Sequence, residues 1–484
     1  MKLSQILKTI SVRELHAPAE LEITGVEYDS RAVKPGALFV AVKGLVSDGH
    51  AYIPAAVKAG AAAVLCMEKP DCDVPYIIVE DTRAALAEAA ANFFGRPADS
   101  LRIVGVTGTN GKTTVSMLIK NMIEYCTGEK AGLIGTNGAV VGDRSLHTDN
   151  TTPESRDLHE FFSLMVAEGC RWCVMEVSSH SLVMGRVAGL HFASAVFTNL
   201  TQDHLDFHKT MESYAQAKAI LFGMCDTAAV NADDPAGAVM LEAFKGSRAM
   251  TFSPSGAPAD ICAEDVRLGS DRVMFTARSE AGRVPMSLGI PGAFSVANAL
   301  AAACCGMALG LDLTDISMAL TTCRGVKGRA EVVPTGKDFS VLIDYACTPD
   351  ATENILETVR GYAEGRVIIV FGCGGDRDRG KRPLMGAAAG RLADVVFVTS
   401  DNPRTEDPEA IIDEIMPGLE GARAEVHRQS DRRLAISEAM HAARAGDVVI
   451  LAGKGHEDYQ IIGREKRHMD EREIVADVLA RWDE

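Results

Sequence analysis

The sequence has no run of eighteen or more consecutive apolar residues, although 47% of its 484 residues are hydrophobic. No segment is therefore long enough to cross a bilayer as a helix. The first residues, MKLSQILKTISVRELH, also lack the apolar core and the small-residue cleavage site of a secretory signal peptide. We therefore expect a cytoplasmic protein that does not insert into membranes.

The cysteines show no regular spacing, and the sequence contains neither internal repeats nor low-complexity tracts. Of the twelve cysteines, only Cys170 and Cys173 form a C-x-x-C pair, and no second pair completes a metal site. We therefore expect buried, reduced thiols. The net charge of -17 disfavours a nucleic acid or an anionic membrane as partner, because like charges repel. Binding an anionic small substrate requires cationic side chains that are gathered locally.

The hydrophobic pattern alternates between strands and helices along the chain. Short apolar runs at 37–44, 61–67 and 76–81 alternate with helical stretches such as 82–95. Later strand-like runs, separated by helix-length segments, are at 101–107, 172–177, 194–199, 227–231, 340–345, 366–371, 394–399 and 446–451. Such alternation predicts an α/β fold with open parallel sheets.

Two linker-like segments divide this pattern. FFGRPADS at 93–100 precedes the strand at 101–107, and GVKGRAEVV at 325–333 follows the helical stretch at 295–310. A chain of this length needs two to four domains. We predict three α/β domains, at 1–98, 99–328 and 329–484.

A glycine-rich segment, IVGVTGTNGKTTVSMLI at 103–119, joins a buried strand to an amphipathic helix. Free N–H groups at such a helix start attract phosphate. Gly105, Gly108 and Gly111 let the backbone approach a ligand closely. Lys112 can reach the β- and γ-phosphates of a nucleotide, and the Thr113 hydroxyl can hold Mg²⁺. The alternative, a glycine-rich turn with an incidental lysine, does not explain why strand, loop and helix coincide.

The loop departs from the common spacing, because Val106 stands where NTPases usually have a glycine, five residues before Gly111. GTNGKTT at 108–114 instead resembles the ATP loop of the Mur ligases and of their relative folylpolyglutamate synthetase. These enzymes use ATP to activate a carboxylate and then join it to an amine. The resemblance implies ATP and Mg²⁺ as cofactors. It implies ATP contacts from Gly108, Thr109, Asn110, Gly111, Lys112, Thr113 and Thr114, with Thr113 also a metal ligand.

Polar residues follow the next strand-like runs. Glu176 lies near the end of the strand-like run at 172–177, and a carboxylate at a buried strand end is rarely plain packing. His204 follows the run at 194–199, where a capping or surface histidine is the alternative. Lys218 lies in the helical SYAQAKAILF, and its spacing alone favours a surface lysine. The resemblance to the Mur ligases implies Mg²⁺ ligation by Glu176, by His204 and by a carbamylated Lys218.

Three further motifs match the family near the second boundary. GAFSVANALAA at 292–302 implies that Asn298 contacts the nucleotide, with Ser295 in place of the family's first asparagine. GVKGRAE at 325–331 implies that Arg329 reaches the ATP phosphates. DYACTPD at 344–350 carries Cys347 where the family has histidine. The catalytic residues that the resemblance implies are Lys112, Glu176, His204, Lys218 and Arg329.

The N-terminal segment DSRAVKPGALFVAVKGLVSDGHAYI at 29–53 resembles the uridine-nucleotide domain of the tripeptide-forming Mur ligases through the order and spacing of its turns. DNTTPES at 149–155 matches the loop that binds the muramyl peptide. Met184 stands where some relatives have glutamine. The resemblance implies that the UDP-linked substrate is bound by Ser30, Leu45, Val46, Ser47, Asn150, Thr151, Thr152, Ser178 and Arg186.

Three loops of the last domain follow strand-like runs: 371–386, 400–408 and 452–460. Solvated loops have similar compositions, but parallel strands bring the loops at their carboxyl ends to one sheet edge. Diaminopimelate carries an ammonium and a carboxylate at its far end, so a site that selects it over lysine needs a cation. Arg404, in the segment Asp401-Asn402-Pro403-Arg404, supplies that cation.

This D-N-P-R segment resembles the diaminopimelate-adding Mur ligases, and the likeness extends from about residue 23 to 475. It implies that the amino acid is bound by Arg377, Asp401, Asn402, Pro403, Arg404, Gly453 and Glu457. The whole resemblance implies a monomeric ligase of peptidoglycan precursor synthesis that uses ATP to join meso-diaminopimelate to UDP-N-acetylmuramoyl-L-alanyl-D-glutamate through an acyl phosphate. A lysine-adding or folate-type ligase is the nearest alternative, and a non-synthetic ATPase module is a more distant one.

Overall fold

The structure, a computed structural model, describes residues 1–44, 47–269, 271–323 and 325–482, without the side chain of Asp206. The chain divides into two compact units. The first comprises Met1–Cys262, Ser279–Ala281 and Leu300–Ala319, and the second comprises Ala263–Arg278, Gly282–Ala299 and Leu320–Glu484. Throughout the described part of the chain, every helix is too short or too polar to cross a bilayer.

The first unit begins with a five-stranded sheet. Its strands are β1 (Val12–His16), β2 (Val26–Glu27), β3 (Leu38–Val40), β4 (Ala63–Cys66) and β5 (Tyr76–Val79), and its helices are α1 (Leu3–Ile6), α2 (Ile53–Lys58) and α3 (Thr82–Phe93). The order is β1-β5-β4-β3-β2, with β1 antiparallel to β5 and the other neighbours parallel. Two apolar clusters bury β3 and β4, one on each face, so these strands read as continuous apolar runs.

A larger sheet forms the centre of the first unit. The strands of this sheet that lie wholly in the first unit are β6 (Arg102–Thr107), β7 (Ala131–Gly135), β8 (Gly138–Val141), β9 (Arg144–Leu146), β10 (Trp172–Glu176), β11 (Phe192–Phe197), β12 (Cys225–Asn231) and β13 (Arg248–Ser253). The order is β13-β12-β11-β6-β10-β7-β8-β9. β8 and β9 are antiparallel additions, and the other neighbouring strands are parallel. The helices are α4 (Lys112–Thr127), α5 (Ser155–Ala167), α6 (Ser179–Val183), α7 (Leu205–His208), α8 (Met211–Ala219) and α9 (Gly237–Ala243).

The next elements are divided between the two units. They are β14 (Ile261–Leu268), β15 (Val273–Ser279), β16 (Gly282–Leu288), α10 (Phe294–Ala308) and α11 (Leu313–Thr322).

A six-stranded sheet forms most of the second unit. Its strands are β17 (Glu331–Val333), β18 (Ser340–Asp344), β19 (Val367–Phe371), β20 (Val395–Val398), β21 (Glu425–Arg428) and β22 (Val448–Ala452), in the order β17-β18-β22-β19-β20-β21. All neighbours are parallel except β17 and β18. A hairpin of β23 (Tyr459–Ile462) and β24 (Glu465–His468) follows. The helices are α12 (Pro349–Arg360), α13 (Lys381–Leu392), α14 (Pro408–Ile415), α15 (Arg432–Ala442) and α16 (Glu471–Ala480).

The predicted α/β fold with parallel sheets is confirmed, since each predicted strand-like run contains a strand. The hairpins β8–β9 and β23–β24 lie in segments that were not predicted as strands. The boundaries after residues 98 and 328 stay a prediction. All twelve cysteines are free thiols, and only Cys72, Cys126 and Cys347 are partly exposed.

Candidate active site

The phosphate loop lies between β6 and α4, where the sequence predicts it. Gly108 and Gly111 have φ angles of +151° and +84°, which favour glycine. A Cβ at Gly108 would lie 1.9 Å from Thr198 Oγ1. Lys112 Nζ donates hydrogen bonds to the carbonyl oxygens of Gly108 (2.9 Å) and Thr109 (2.8 Å). The first turn of α4 also has N–H groups without intrahelical acceptors, so the segment fits a nucleotide phosphate.

The loop after β11 braces the phosphate loop. The Thr198 hydroxyl donates to Asn110 O (2.6 Å), and the Asn110 N–H donates to Asn199 Oδ1 (2.9 Å). The Thr109 N–H donates to Asn199 O (2.8 Å). These bonds join the carboxyl ends of two neighbouring strands, so the backbone of the phosphate loop is held in one conformation.

Glu176 lies at the same sheet edge, because it ends β10 opposite Val106 of β6. Its side chain is 1% exposed. The Thr136 N–H donates to Oε1 (2.8 Å), and the Thr136 hydroxyl donates to Oε2 (3.2 Å). A Cβ at Gly135 would lie 2.2 Å from Oε1, so this glycine makes room for the carboxylate. A buried and oriented carboxylate beside a phosphate loop fits the predicted role of Glu176 as a metal ligand.

Lys218 is buried, with 1% of its side chain exposed, so the surface lysine favoured by spacing alone is wrong. Its Nζ lies 4.3 Å from the centre of the Tyr214 ring, and the Tyr214 hydroxyl lies 3.3 Å from Thr109 Oγ1 in the phosphate loop. Burial holds the pKa of Lys218 well below its ordinary value. The charge of Lys112 lowers this pKa further, and Asp203 opposes the shift. The low pKa favours the neutral, nucleophilic amine.

His204 precedes α7 with a φ of +53°. A non-glycine residue in this left-handed region costs roughly 1–2 kcal/mol, and such strain is concentrated at functional positions. The side chain is 48% exposed, and its Nε2 lies 3.4 Å from Asp203 Oδ2. Its ring centre is 4.8 Å from that of His180 and 6.3 Å from that of Tyr214. His204 occupies the N-cap position but makes no capping hydrogen bond through its side chain.

The donor set fits Mg²⁺ that binds together with a nucleotide. Across the described ranges, no three His, Cys, Asp or Glu side chains form a ready metal site. Mg²⁺ prefers oxygen ligands and usually combines one or two protein groups with phosphates and water. The buried Thr113 hydroxyl and the Glu176 carboxylate supply such oxygens beside the phosphate loop.

A cleft of about 550 Å³ lies between the first sheet and α5, within the first unit. This volume is typical of a small-molecule site. Tyr28 and Asn150 line it, and Tyr28 donates a hydrogen bond to Asp157 Oδ2 (2.8 Å). Of the residues predicted to bind the UDP-linked substrate, Ser30 lies between the lining residues Asp29 and Arg31 without lining the cleft itself, and Ser47 is exposed. Leu45 and Val46 lie outside the described residues.

Three of the predicted substrate residues form one hydrogen-bonded group next to Glu176. The Thr152 hydroxyl donates to Glu176 O (2.9 Å), and the Ser178 N–H donates to Thr152 Oγ1 (3.0 Å). Arg186 Nη1 donates to Thr152 O (2.9 Å), and its Nε lies 2.8 Å from a carboxylate oxygen of Glu154. Thr151 Oγ1 lies 3.2 Å from the hydroxyl of Thr136, the residue that orients Glu176. Met184 stands where some relatives have glutamine, and its backbone carbonyl accepts a hydrogen bond from Arg83 Nη1 (3.1 Å).

In the second unit, Arg329 lies beside the carboxyl end of β18. Its guanidinium carbon is 5.0 Å from the centre of the Tyr345 ring. Asp344 accepts hydrogen bonds from the N–H groups of Ala330 (2.7 Å) and Ala346 (2.8 Å). Burial raises the pKa of Asp344, and the charge of Arg329 opposes that shift. The Asp344 carboxylate thus fixes the backbone next to Arg329.

The family departures in the second unit are accommodated locally. Ser295 is fully buried and donates a hydrogen bond to Pro291 O (3.1 Å) at the start of its helix. Asn298 is buried on the same helix. Burial raises the pKa of the Cys347 thiol, so this residue is uncharged at neutral pH. Lys381 Nζ donates a hydrogen bond to the backbone carbonyl of Cys347 (2.8 Å). This hydrogen bond does not depend on which side chain occupies position 347.

The three loops of the second unit converge at one sheet edge, as predicted. The Gly375 N–H donates to Asn402 O (2.9 Å), and the Arg404 N–H donates to Ile461 O (3.0 Å). Arg404 Nη1 donates to Gly375 O (2.8 Å). The φ angle of Arg404 is +52°, a strained value for a residue other than glycine. The surrounding loops hold the backbone in this conformation, and the guanidinium lies among them.

Three other predicted amino-acid contacts differ in their setting. A Cβ at Gly453 would lie 2.7 Å from Asp401 Oδ2, so this glycine is needed for close packing. Pro403 is buried. Arg377 is exposed, and its Nη1 donates to the carbonyl oxygen of its neighbour Asp376 (3.2 Å).

Two buried cations support these loops and were not predicted. Arg382 is 0% exposed and pairs with Glu406 (2.9 Å) and Glu414 (2.8 Å). Its hydrogen bond lowers the pKa of Glu406 to about 2. Lys454 is also 0% exposed and pairs with Glu457 (3.1 Å). Each lies in a glycine-rich or charge-rich segment, where the sequence pattern does not distinguish a buried cation from a surface one.

Three family models match successive parts of the chain. Their descriptions are "Mur ligase family, catalytic domain" for residues 22–94, "Mur ligase middle domain" for 106–306 and "Mur ligase, glutamate ligase domain" for 328–455. The chain belongs to the Mur ligase family. This confirms the resemblance that the motifs indicated.

Relatives of this Mur ligase match it over its full length. A UDP-N-acetylmuramoyl-L-alanyl-D-glutamate–2,6-diaminopimelate ligase of Caldanaerobacter subterraneus subsp. tengcongensis is 47% identical, over 99% of both chains. Enzymes of the same name from Clostridium tetani and Clostridioides difficile are 42% and 43% identical, over 99% of this chain and 99% and 100% of their own. The chain is therefore a ligase of the Mur family.

A solved structure of a ligase with that name matches 100% of this Mur ligase and 99% of its own chain, with 32% identity and a TM-score of 0.72. It confirms the three-domain α/β architecture. MurF ligase from Thermotoga maritima, solved in complex with ADP, matches with 21% identity and a TM-score of 0.62, over 95% of this chain and 98% of its own. At that identity the match supports the fold alone.

Proposed function

We propose that this Mur ligase uses ATP to join meso-2,6-diaminopimelate to UDP-N-acetylmuramoyl-L-alanyl-D-glutamate, in peptidoglycan precursor synthesis. The full-length relatives carry this activity in their names. The main structural support for diaminopimelate as the amine is the position of Arg404. The loops of the second unit hold both its backbone and its guanidinium through hydrogen bonds. A fixed guanidinium binds a carboxylate bidentately, and the far carboxylate is what distinguishes diaminopimelate from lysine.

The first unit provides the setting for the UDP-linked acid. The cleft beside Asn150 is large enough for part of a nucleotide sugar. The group of Thr152, Ser178 and Arg186 lies next to Glu176, close to the phosphate loop. We propose that the cleft receives the uridine end of the substrate, and that this group orients the D-glutamyl carboxylate toward ATP.

The chemistry has two steps. The D-glutamyl carboxylate takes the γ-phosphoryl group of ATP, which gives an acyl phosphate and ADP. The diaminopimelate amine then attacks the acyl carbon, and phosphate leaves with the bonding electrons. Lys112 and Arg329 are the cations that we expect to neutralise the phosphate oxygens, and the N–H groups of the phosphate loop orient them.

Mg²⁺, when bound, would reduce the repulsion between the ATP phosphates and the incoming carboxylate. Thr113, Glu176 and His204 are the residues that would hold it, together with a carbamylated Lys218. The buried position and low pKa of Lys218 support this modification, because only a neutral amine adds to CO₂. The remaining ATP contacts, the role of Asn298, the cytoplasmic location and the monomeric state stay predictions.

An amine panel tests the proposed function. With ATP, Mg²⁺ and UDP-N-acetylmuramoyl-L-alanyl-D-glutamate supplied, we expect rapid product formation with meso-diaminopimelate and at least roughly 100-fold lower kcat/KM with L-lysine. Chromatography of the UDP-linked product measures both rates. A product with lysine but not with diaminopimelate would overturn the assignment, and ATP hydrolysis that is independent of the UDP substrate would indicate a non-synthetic ATPase.

Replacing Arg404 by alanine tests the role of the guanidinium. We expect the KM for diaminopimelate to rise roughly 50-fold, because a charge-assisted carboxylate contact is lost, while the KM for ATP stays within about twofold. Arg428→Ala is a matched control, since Arg428 is a surface residue of β21 that pairs with Glu409 and Asp413. Equal losses for ATP and diaminopimelate in Arg404→Ala would contradict the proposed role.

A further inference from the structure

Lys454 is a buried cation beside the proposed amino-acid site. Its side chain is 0% exposed, and its Nζ donates hydrogen bonds to Asn402 Oδ1 (3.0 Å) and Glu457 Oε2 (3.1 Å). The centre of the Tyr459 ring lies 5.7 Å from Nζ. Burying a charged lysine costs desolvation free energy. The contacts of Lys454 should therefore show which function offsets this cost.

These contacts fix the direction of every hydrogen bond in the group. Lys454 Nζ and the Ile461 N–H are donors only, and both donate to Asn402 Oδ1 (3.0 and 2.9 Å). The Asn402 amide therefore points its oxygen at them and its Nδ2 at Glu457 Oε2 (2.8 Å). Glu457 Oε2 thus accepts two hydrogen bonds. Among the residues that the structure describes, none accepts the second N–H of the Asn402 side chain or donates to Glu457 Oε1, so both are left for a ligand.

A donor beside an acidic acceptor matches an amino-acid group, whose carboxylate accepts and whose ammonium donates. The charge of Lys454 offsets that of Glu457, so the local pair is neutral. A neutral pair gives no net advantage to the bare ammonium of lysine over the zwitterionic end of diaminopimelate. Without Lys454 the group would carry an extra negative charge, which favours a cationic amine.

We propose that Lys454 is a positioning residue that sets amine specificity through Glu457 and Asn402, without touching the amine itself. This inference rests on the proposed function. Lys454 orients the amide of Asn402, keeps Oε1 of Glu457 available, and balances the carboxylate charge. Removing it should therefore change which amine is used, whereas the phosphate-loop chemistry should continue.

Lys454→Met removes the charge at similar side-chain length. We expect the KM for meso-diaminopimelate to rise roughly tenfold or more, with kcat at saturation and the KM for ATP within about threefold. We also expect the kcat/KM ratio of diaminopimelate to lysine to fall by about tenfold. Lys337→Met, at an exposed lysine of the same unit, is the matched control.

The double variant Lys454→Met/Glu457→Gln decides whether Lys454 acts through Glu457. If it does, the double variant has the amine selectivity of Glu457→Gln alone, because the effects of coupled residues do not add. This comparison remains available if Lys454→Met alone does not fold, since the double variant leaves no unpaired charge buried. Additive effects, or a large fall in kcat at saturating diaminopimelate, would overturn the proposal. A wild-type enzyme that does not use diaminopimelate would instead overturn the proposed function.

Discussion

Replacing Lys218 by methionine is expected to lower kcat roughly 1000-fold, a loss typical of removing a group that stabilises developing charge. Methionine keeps the apolar packing against Tyr214, so the fold should be retained. The substitution removes the buried amine, which contacts Tyr214, and Tyr214 in turn contacts Thr109 of the phosphate loop. ADP release in a coupled assay measures the effect. Lys245→Met, at an exposed lysine of the same unit, should stay within about twofold of the wild type.

The chemical state of Lys218 can be observed directly. Addition of the neutral amine to CO₂ forms an N–C bond and releases a proton, which converts the side chain into a carbamate anion. Enzyme equilibrated with ¹³C-bicarbonate should show a carbamate carbonyl resonance that is absent in Lys218→Met. A Lys218→Met variant with nearly full activity would contradict the role. If Lys218→Met is inactive but the wild type shows no carbamate signal, the lysine acts without being modified.

The strands around the site were predictable because parallel strands buried on both faces read as continuous apolar runs. β10 and β11 each end at a polar cluster, and the sheet brings these clusters to the edge that carries the phosphate loop. The hairpin of β8 and β9 was not predicted, because a short antiparallel addition interrupts the strand–helix alternation without a long apolar run.

Burial of single cations was not predictable from the pattern. The helix of Lys218 is rich in small and polar residues, so neither face marks the interior. Lys454 lies between two glycines, and such a segment is typical of a solvated loop. The helix of Lys218, α8, packs against α6 and α9, and Lys454 donates to Asn402 from a distant loop. Both lysines are therefore buried through tertiary contacts that no local spacing encodes.

The unusual Val106 has a structural explanation. Its side chain is 0% exposed, and its backbone pairs with β10 and β11 at once. β6 continues through Thr107, so the phosphate loop begins only at Gly108. A glycine at 106 would lie within the strand and leave a void in the sheet core. The spacing that differs from common NTPase loops thus follows from a strand that runs further before the turn.

Gly108→Ala is expected to lower kcat/KM for ATP roughly 100- to 1000-fold, because displacing a preformed binding loop by about 1 Å costs around two orders of magnitude. The new Cβ would lie 1.9 Å from Thr198 Oγ1 and 3.2 Å from the Asn199 nitrogen. Thr198 cannot move freely, since its hydroxyl donates to Asn110 O (2.6 Å). The loop or its brace must therefore shift. Initial rates at varied ATP, with the other substrates saturating, measure the loss.

Gly128→Ala is the control that distinguishes the effect of the steric clash at Gly108 from the effect of backbone strain alone. Gly128 ends α4 with a φ of +70°, and a Cβ there would meet no atom within 4 Å. It should cost about 1 kcal/mol of stability and leave the ATP kinetics unchanged. Thr198→Ala in the Gly108→Ala background removes the nearest atom, so it should restore part of the ATP affinity. If Gly108→Ala behaves like Gly128→Ala, the phosphate loop tolerates a side chain at its first position, and the brace from β11 does not control nucleotide binding.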